Sequence, residues 1–238
     1  MSSPRETFLE RVHQALQQSN RPGVAADIPP RGTVGYQGAG PDPVARFAAE
    51  LTAAGGTAYP VVDRAAAVAA VLKFVGDRSA RRALLGHGAF IDTLDLAGAL
   101  RSANVEVIAP DALTPAGCKE PFFAADIGIT GVDYLIAETG SVALLSRPGE
   151  PRSFSLLPPV HVAVAHHAQI LPDLFDLFGR FAKKIGDSSG RPKMPSCLSL
   201  ITGPSKTGDI ELRLVTGVHG PGEVHVVLID RGAGPSNA

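Results

Sequence analysis

A glycine-rich segment near the end of the chain, residues 203–209, combines several groups that bind anions. It follows an apolar, strand-like run and reads Gly203-Pro204-Ser205-Lys206-Thr207-Gly208-Asp209. Glycines let backbone amides approach an anion, the two hydroxyl groups add donors, and Lys206 adds positive charge. A helix that begins after the turn would direct further amides at the same anion. The spacing of a P-loop is absent, so a carboxylate and a phosphate are equally possible ligands. The alternative to a ligand site is a structural turn in which Ser205 or Asp209 caps a helix.

A second segment places a histidine between glycines, immediately before the last apolar strand. It reads Thr216-Gly217-Val218-His219-Gly220-Pro221. We expect His219 to lie where the crevice of a βα fold opens, as a hydrogen-bond donor, a general acid or base, or a metal ligand. Gly220 belongs to the same predicted ligand site. The alternative is a histidine that is simply solvated or bonded to backbone.

A third segment contains a glutamate between apolar runs, Ile129-Thr130-Gly131-Val132-Asp133-Tyr134-Leu135-Ile136-Ala137-Glu138-Thr139-Gly140-Ser141-Val142. This setting predicts that the Glu138 carboxylate is buried, where it needs hydrogen bonds or a positive charge. Thr139 and Ser141 supply hydroxyl groups beside it, and Gly140 permits close approach of the backbone. Glu138 is therefore a candidate catalytic residue, with a structural acceptor for loop amides as an equal alternative.

The remaining histidines and the cysteines predict no metal site. His161, His166 and His167 are weak candidates, and the adjacent side chains of His166 and His167 should point apart. His87 follows a strand and could line the crevice, although a plain loop histidine is the favoured interpretation. Cys118 and Cys197 are far apart and lack a CxxC partner. This excludes a four-thiolate zinc site or a cysteine-ligated iron–sulfur cluster in this chain. We expect no metal and no cofactor bound through cysteine.

The composition narrows the class of protein. The 238 residues are 45% hydrophobic and 19% charged, with 22 basic and 23 acidic side chains. Such a chain can form a sizeable core, and it lacks the basic face of a nucleic-acid binder. It contains neither an N-terminal apolar segment typical of a secretory signal nor the roughly 18–20 apolar residues of a membrane span. These features predict a cytoplasmic protein without a membrane span.

The elements that would position these groups alternate between helix and strand. Ser3-Pro4-Arg5-Glu6 predicts the start of an N-terminal helix, and a Pro- and Gly-rich connection follows it to residue 41. Residues 42–238 then predict one α/β domain with a mostly parallel sheet covered on both faces. Strands are expected at 57–61, 83–86, 105–109, 160–165, 197–201 and 224–229, with a strand-like, glycine-interrupted region at 125–145. Helices are expected from Asp42 and from Asp63, and at 92–101 and 173–184.

Four motifs in this order resemble the lactate-utilisation protein C family, whose unit is the LUD domain: residues 125–130, 136–141, 203–211 and 217–221. The resemblance implies a Rossmann-like open sheet of the NagB/RpiA/CoA-transferase-like class. It also implies a non-iron–sulfur subunit of a cytoplasmic system that oxidises L-lactate to pyruvate. Iron–sulfur subunits of that system would be the partners, because two isolated cysteines cannot hold such clusters.

Two other functions stay open at this point. The chain could be a structural or regulatory interaction subunit without a ligand, docked through its N-terminal helix. It could also be an enzyme of the CoA-transferase or cyclo-ligase type, because Glu138-Thr139-Gly140 is similar to the Glu-Asn-Gly setting of CoA transferases that use a glutamate nucleophile. We expect a component of an oxidoreductase complex rather than a stand-alone catalyst.

Overall fold

The computed structural model describes residues 3–19, 38–110, 119–146, 151–184, 195–210 and 213–230. The chain divides into two compact units, Met1–Tyr36 and Gln37–Ala238. Cys118 lies outside the described residues, as do the side chains of Asp209 and Phe181. No helix within the described ranges is long and apolar enough to cross a membrane.

The first unit contains one helix, α1 (Pro4–Ser19), in its described part. The predicted capping box is confirmed, because the backbone N–H of Glu6 donates to Ser3 Oγ at 3.2 Å and the Ser3 N–H donates to the Glu6 carboxylate at 2.6 Å. The apolar side chains of Phe8, Leu9 and Val12 on this helix are exposed.

The second unit is built around a six-stranded sheet. Its helices are α2 (Pro43–Ala53), α3 (Arg64–Asp77), α4 (Leu96–Ser102), α5 (Lys119–Phe123) and α6 (Leu174–Lys184). Its strands are β1 (Thr57–Val61), β2 (Arg82–Leu85), β3 (Glu106–Ile108), β4 (Ile127–Thr130), β5 (Tyr134–Ile136), β6 (Ser141–Leu145), β7 (Val160–His166), β8 (Ile170–Leu171), β9 (Leu198–Ile201), β10 (Lys206–Ile210), β11 (Arg213–Thr216) and β12 (Glu223–Ile229). The central sheet has the order β1-β12-β7-β4-β2-β3, and every neighbouring pair in it is parallel. The predicted α/β class with a mostly parallel sheet is confirmed.

Both faces of the central sheet are covered, and alternate residues of β7 pack into the cores on the two faces. Val162 and Val164 pack with α3 in one core, whereas Ala163 and Ala165 pack with α2 and the second sheet in the other. Successive side chains of a strand point to opposite faces, so a continuous apolar run is needed where both faces are buried. The helices begin where the sequence predicted, because Asp42 accepts hydrogen bonds from the N–H groups of Val44 and Ala45, and Asp63 accepts one from Ala66.

The structure corrects three expectations. The strand-like region at 125–145 is split between two sheets, since β4 joins the central sheet while β5 and β6 join a separate sheet of order β8-β5-β6-β9. No helix follows the 203–209 segment, because β10 pairs antiparallel with β11 as a hairpin. The helix expected at 92–101 is interrupted at Asp95, whose φ of +46° ends a 3-10 helix (Ile91–Leu94) before α4 begins.

The connections of the central sheet diverge between β2 and β4. From β2 the chain runs through α4 to β3 on one side, and from β4 it runs through the second sheet to β7 on the other side. In open α/β sheets, ligands bind outside the carboxyl ends of the strands at such a switch point, because the diverging connections leave a crevice there. The fold therefore places its crevice at the carboxyl ends of β2 and β4.

Gly128 in β4 lets a loop lie directly on the central sheet. A Cβ atom at this position would overlap the carbonyl oxygen of Phe154 and come within 3.2 Å of Pro158. Phe154 belongs to a 3-10 helix (Arg152–Ser155) and is 1% exposed. Its ring contacts that of Phe122 edge to face at a centroid distance of 5.8 Å. The absence of a side chain at residue 128 thus fixes the position of residues 152–155.

We predict that Gly128→Ala lowers the free energy of unfolding by about 2 kcal/mol or more, because backbone must move to make room for the new methyl group. Gly179→Ala in α6 is the matched control, since a Cβ there meets nothing within 4 Å. Removing a helical glycine should raise stability by roughly 0.5–1 kcal/mol. Denaturant unfolding of the two variants measures both changes, and equal stability of the two would contradict the proposed close approach.

Candidate functional site

A cavity of about 360 Å³ lies at the carboxyl ends of β2 and β4. Its walls are the loop after β2, the loop after β4, the end of β7, residues 151–155, and the ends of β6 and β9. The residues used in the argument below are Arg64, His87, Thr130, Asp133, Arg152 and His166. This is the switch point of the central sheet, where ligands of such folds bind. Within the described part of the chain, we therefore take this cavity as the candidate functional site.

The charged side chains around the cavity are mainly positive. Arg64 is the first residue of α3, and Arg152 belongs to the wall that rests on Gly128. Asp133 is the acidic residue of the described lining, and its Oδ2 accepts a hydrogen bond from the N–H of Leu145 at 2.8 Å. The lining thus contains two guanidinium groups, which are always charged, and one carboxylate, which already accepts a hydrogen bond from the backbone. The balance favours an anionic ligand.

The rest of the wall is largely apolar. Its apolar members are Ala89, Phe90, Val132, Leu144, Leu145, Pro151, Phe154 and Ala168. Gly131 allows the loop after β4 to pass close to the loop after β2, since a Cβ there would lie 3.0 Å from Ile91. A few polar groups on a mostly apolar surface are typical of sites for organic ligands.

His166 is held at the end of β7 by backbone contacts. It is 3% exposed, and its Nδ1 accepts a hydrogen bond from the N–H of Ala168 at 3.2 Å. Gln169 accepts from the N–H of His166 at 2.8 Å and donates to the carbonyl oxygen of Val132 at 2.5 Å. Because Nδ1 accepts, the proton of the neutral ring is on Nε2.

The prediction that His166 and His167 point apart is wrong. Their ring centroids are 4.3 Å apart, because a 3-10 turn (His167–Gln169) starts directly after His166 and ends the alternation of the strand. Among the described residues, no group of three or more His, Cys, Asp or Glu side chains is arranged to hold a metal ion. His87 lines the cavity, as the sequence suggested, and its Nδ1 lies 3.3 Å from Asp92.

The residues predicted to bind a ligand in the three segments lie outside the cavity, although Thr130 and Asp133 at the start of the third segment line it. The first two segments contact each other. Ser205 donates its N–H to the carbonyl oxygen of Pro221 at 2.9 Å and accepts from the N–H of Gly217 at 2.9 Å. Gly220 is packed beside Ser205. The loop at 203–205 and the loop at 217–221 therefore form one structural unit.

Helix α2 is the surface against which the predicted glycines pack. A Cβ at Gly140, whose φ is +63°, would overlap the backbone of Leu51, and one at Gly203, whose φ is +78°, would lie 2.7 Å from the carbonyl oxygen of Ala54. Lys206 donates from Nζ to that same carbonyl oxygen at 2.5 Å. Lysine is well suited to this place, since the last carbonyl groups of a helix lack partners within it.

A chain of hydroxyl groups joins the second sheet to the start of the 203–209 segment. Thr139 Oγ1 lies 2.7 Å from Ser141 Oγ, which lies 2.6 Å from Thr202 Oγ1. Each of these hydroxyl groups therefore has a hydrogen-bond partner within the protein, which is a structural role. The predicted ligand roles of Thr139, Gly140, Ser141 and residues 203–209 stay predictions.

Glu138 and His219 are not where the sequence led us to expect them. Glu138 is half-buried rather than buried, in the turn between β5 and β6. The cavity is at the other end of this hairpin, where Asp133 and Leu145 line it. His219 is exposed and precedes β12, so it is at the amino edge of the central sheet rather than in the crevice.

His161 is buried behind the cavity wall. It is 0% exposed, and its Nε2 lies 2.9 Å from Oγ1 of Thr130. Burial lowers the pKa of His161 to about 4, and repulsion from His225 contributes in the same direction. The sequence does indicate that this histidine is buried, because it lies within the apolar run of β7. Its partner in β4 is known only from the pairing of the two strands.

The comparisons with known proteins agree with this fold. The LUD domain profile matches residues 44–229. The chain is similar to lactate utilization protein C of Halalkalibacterium halodurans, with 38% identity over 64% of this chain and 65% of that protein. It is also similar to lactate utilization protein C of Shouchella clausii, with 39% identity over 44% of each chain. These alignments span less than two thirds of the relatives' own length.

A solved structure supports the fold. The crystal structure of a duf162 family protein from Deinococcus radiodurans aligns with a TM-score of 0.52, over 78% of this chain and 95% of that one. The sequence identity is 22%, so this likeness concerns the fold.

We predict that His161 makes the protein less stable as the pH falls from 6.5 towards 4. The unfolded chain binds a proton at this histidine below about pH 6.5, whereas the folded protein does so only near pH 4, so acid favours the unfolded state. The loss should approach 1.4 kcal/mol per pH unit, roughly, within this window. Denaturant unfolding from pH 7 to pH 4 should give a shallower curve for His161→Gln than for the unsubstituted protein. Parallel curves for the two proteins would contradict the buried neutral ring.

Proposed function

Because this chain belongs to the LUD domain family, we propose that it is a subunit of a cytoplasmic system that oxidises L-lactate to pyruvate, and that it binds an anionic small molecule in the cavity at the switch point. The relatives named lactate utilization protein C support the role in lactate utilisation. The observation that supports the ligand is the pair of arginines, Arg64 and Arg152, in the wall of that cavity.

Arginine suits both of the anion classes that the sequence leaves open. A guanidinium group is always charged at physiological pH, and its planar set of donors matches the oxygens of a carboxylate or a phosphate. Arg64 extends from the start of a helix, and Arg152 donates from Nη1 to Sγ of Cys197 at 3.2 Å. The ligand would meet cationic groups whose backbones are fixed by α3 and by the contact at Gly128.

The size of the cavity favours a ligand larger than lactate itself. L-lactate and pyruvate have six non-hydrogen atoms each and would fill roughly 180 Å³ even at the volume that each water occupies in the liquid. This is about half of the 360 Å³. We therefore propose an organic anion with an apolar body, such as a phosphate-bearing cofactor, whose apolar part would contact side chains such as Phe90 and Leu145.

Electron transfer would rest with partner subunits. The chain has two cysteines, too few for the four thiolates of an iron–sulfur cluster. The exposed apolar side chains Phe8, Leu9 and Val12 of α1 are the surface we propose for docking to such partners. Large apolar groups clustered on one exposed helix face are typical of protein contact sites.

The position of Glu138 does not favour an enzyme of the CoA-transferase type. Its turn is at the far end of the β5–β6 hairpin from the cavity, beside the backbone of α2. A nucleophilic role would require a second ligand site there. The preferred proposal needs no catalysis by Glu138.

The ligand proposal is tested by calorimetric titration of the full chain with pyruvate, L-lactate, AMP and coenzyme A. We expect AMP or coenzyme A to bind more tightly than lactate, because either one fills more of the cavity. Arg64→Gln and Arg152→Gln should each weaken binding by about tenfold or more, since each removes a hydrogen bond to a charged group. Lys206→Met is the matched control, because it removes one positive charge outside the cavity.

The same titration separates the cavity from the 203–209 segment. If Lys206→Met weakens binding and the two arginine variants do not, the ligand site is the segment predicted from the sequence and the cavity proposal is wrong. If no probe binds to the unsubstituted chain, the anion-binding role itself is contradicted.

The docking proposal is tested by removing residues 1–37 and measuring co-purification with the iron–sulfur subunits of a lactate-oxidising system. The cut spares Ala39, which packs in the core beside α2. We expect loss of co-purification with an unchanged unfolding midpoint of the remaining domain. Phe8→Ser combined with Val12→Ser in the full chain should give the same loss, whereas assembly that survives truncation would contradict docking through α1.

A further inference from the structure

Thr130 connects the ligand cavity to a buried histidine. It lines the cavity, and its Oγ1 lies 2.9 Å from Nε2 of His161 in the neighbouring strand. Gly128 is paired with His161 and Thr130 with Ala163, so the two side chains project from the same face of the sheet. The bond is therefore fixed by the register of two strands in the middle of the central sheet.

The ring of His161 is neutral at physiological pH, because burial lowers its pKa to about 4. One ring nitrogen then carries the proton and the other carries a lone pair. Nε2 contacts Thr130, whereas Nδ1 is buried and has no hydrogen-bond partner among the described residues. Which nitrogen carries the proton decides the direction of the bond to Thr130.

The environment of Nδ1 favours a proton on Nε2. With the proton on Nδ1, a buried N–H would have no acceptor, an arrangement that is rare in folded proteins. With the proton on Nε2, that N–H donates to Thr130 Oγ1, and the unpaired atom is only a lone pair. The hydroxyl of Thr130 then accepts from the ring and keeps its own hydrogen for another acceptor.

We infer that His161 donates from Nε2 to Thr130 Oγ1 and so leaves the Thr130 hydroxyl to donate its hydrogen to an anionic oxygen of the ligand in the cavity. The inference rests on the proposed function, because it requires an anion in that cavity. Carboxylate and phosphate oxygens are acceptors, so a wall that presents a fixed hydroxyl donor complements them. The opposite bond direction would present an oxygen lone pair to the anion. Thr130 would contact the ligand, and His161 would be a positioning residue.

The direction of the bond is measured without any ligand. In protein labelled with 15N-histidine, the correlations between ring nitrogens and carbon-bound ring hydrogens distinguish the two neutral tautomers. The signals of His161 are those absent from His161→Gln. We expect the Nε2–H tautomer throughout pH 6–8, and the Nδ1–H tautomer would overturn the inference.

The role toward the ligand is measured by calorimetry with pyruvate as the carboxylate probe and AMP as the phosphate probe. Thr130→Val keeps the shape and removes the hydroxyl, and it should weaken binding of the probe by about tenfold or more. Thr130→Ser keeps the hydroxyl and should bind within about threefold of the unsubstituted protein. His161→Gln keeps an N–H donor and should retain binding. His161→Met removes the N–H that orients the hydroxyl and should weaken binding less than Thr130→Val does, because the hydroxyl itself remains.

The outcomes separate this inference from the proposed function. If Thr130→Val binds the probe as well as Thr130→Ser does, the inference is wrong and the anion site stands. If His161→Met does not fold, the comparison of the two Thr130 variants decides the question. If the unsubstituted protein binds neither probe, the proposed function is contradicted and this inference fails with it.

Discussion

At Gly128 the backbone of the cavity wall rests on the central sheet with no side chain between them, and the candidate site depends on this contact. A Cβ at residue 128 would occupy the space of the Phe154 carbonyl oxygen. Because residues 152–155 are seated there, Arg152 stands at the carboxyl ends of β2 and β4 instead of on a free loop. Because residue 128 has no side chain, the backbone of residues 152–155 packs directly on β4 and forms a wall of the cavity.

Small side chains also allow close packing on β7. Ala163 and Ala165 of β7 are fully buried against α2 and the second sheet, where larger residues would push the layers apart. On the opposite face, Val162 and Val164 meet α3. On β7, therefore, the small side chains face α2 and the second sheet, and the larger valines face α3.

The glycine-rich segments show why local sequence is an uncertain guide to a site. Gly140 and Gly203 adopt positive φ and pack against the backbone at the end of α2, and Lys206 binds the last carbonyl group of that helix. These are the residue types that an anion site also requires, because anions and helix ends both demand close backbone approach and unpaired donors or acceptors. The residue pattern is the same for both roles, so only their placement in the fold separates them.

The sequence alone determined the class of the domain. Alternating apolar runs and capped helices predicted the parallel sheet, and Asp42, Asp63 and the Ser3–Glu6 capping box predicted where helices begin, because these signals act within a few residues. Only the tertiary structure decided that β5 and β6 leave the central sheet, that Arg64, His87, Arg152 and His166 meet at one cavity, and that Thr130 is bonded to His161. These residues are far apart along the chain, and their proximity depends on strand order and register, which no local pattern encodes.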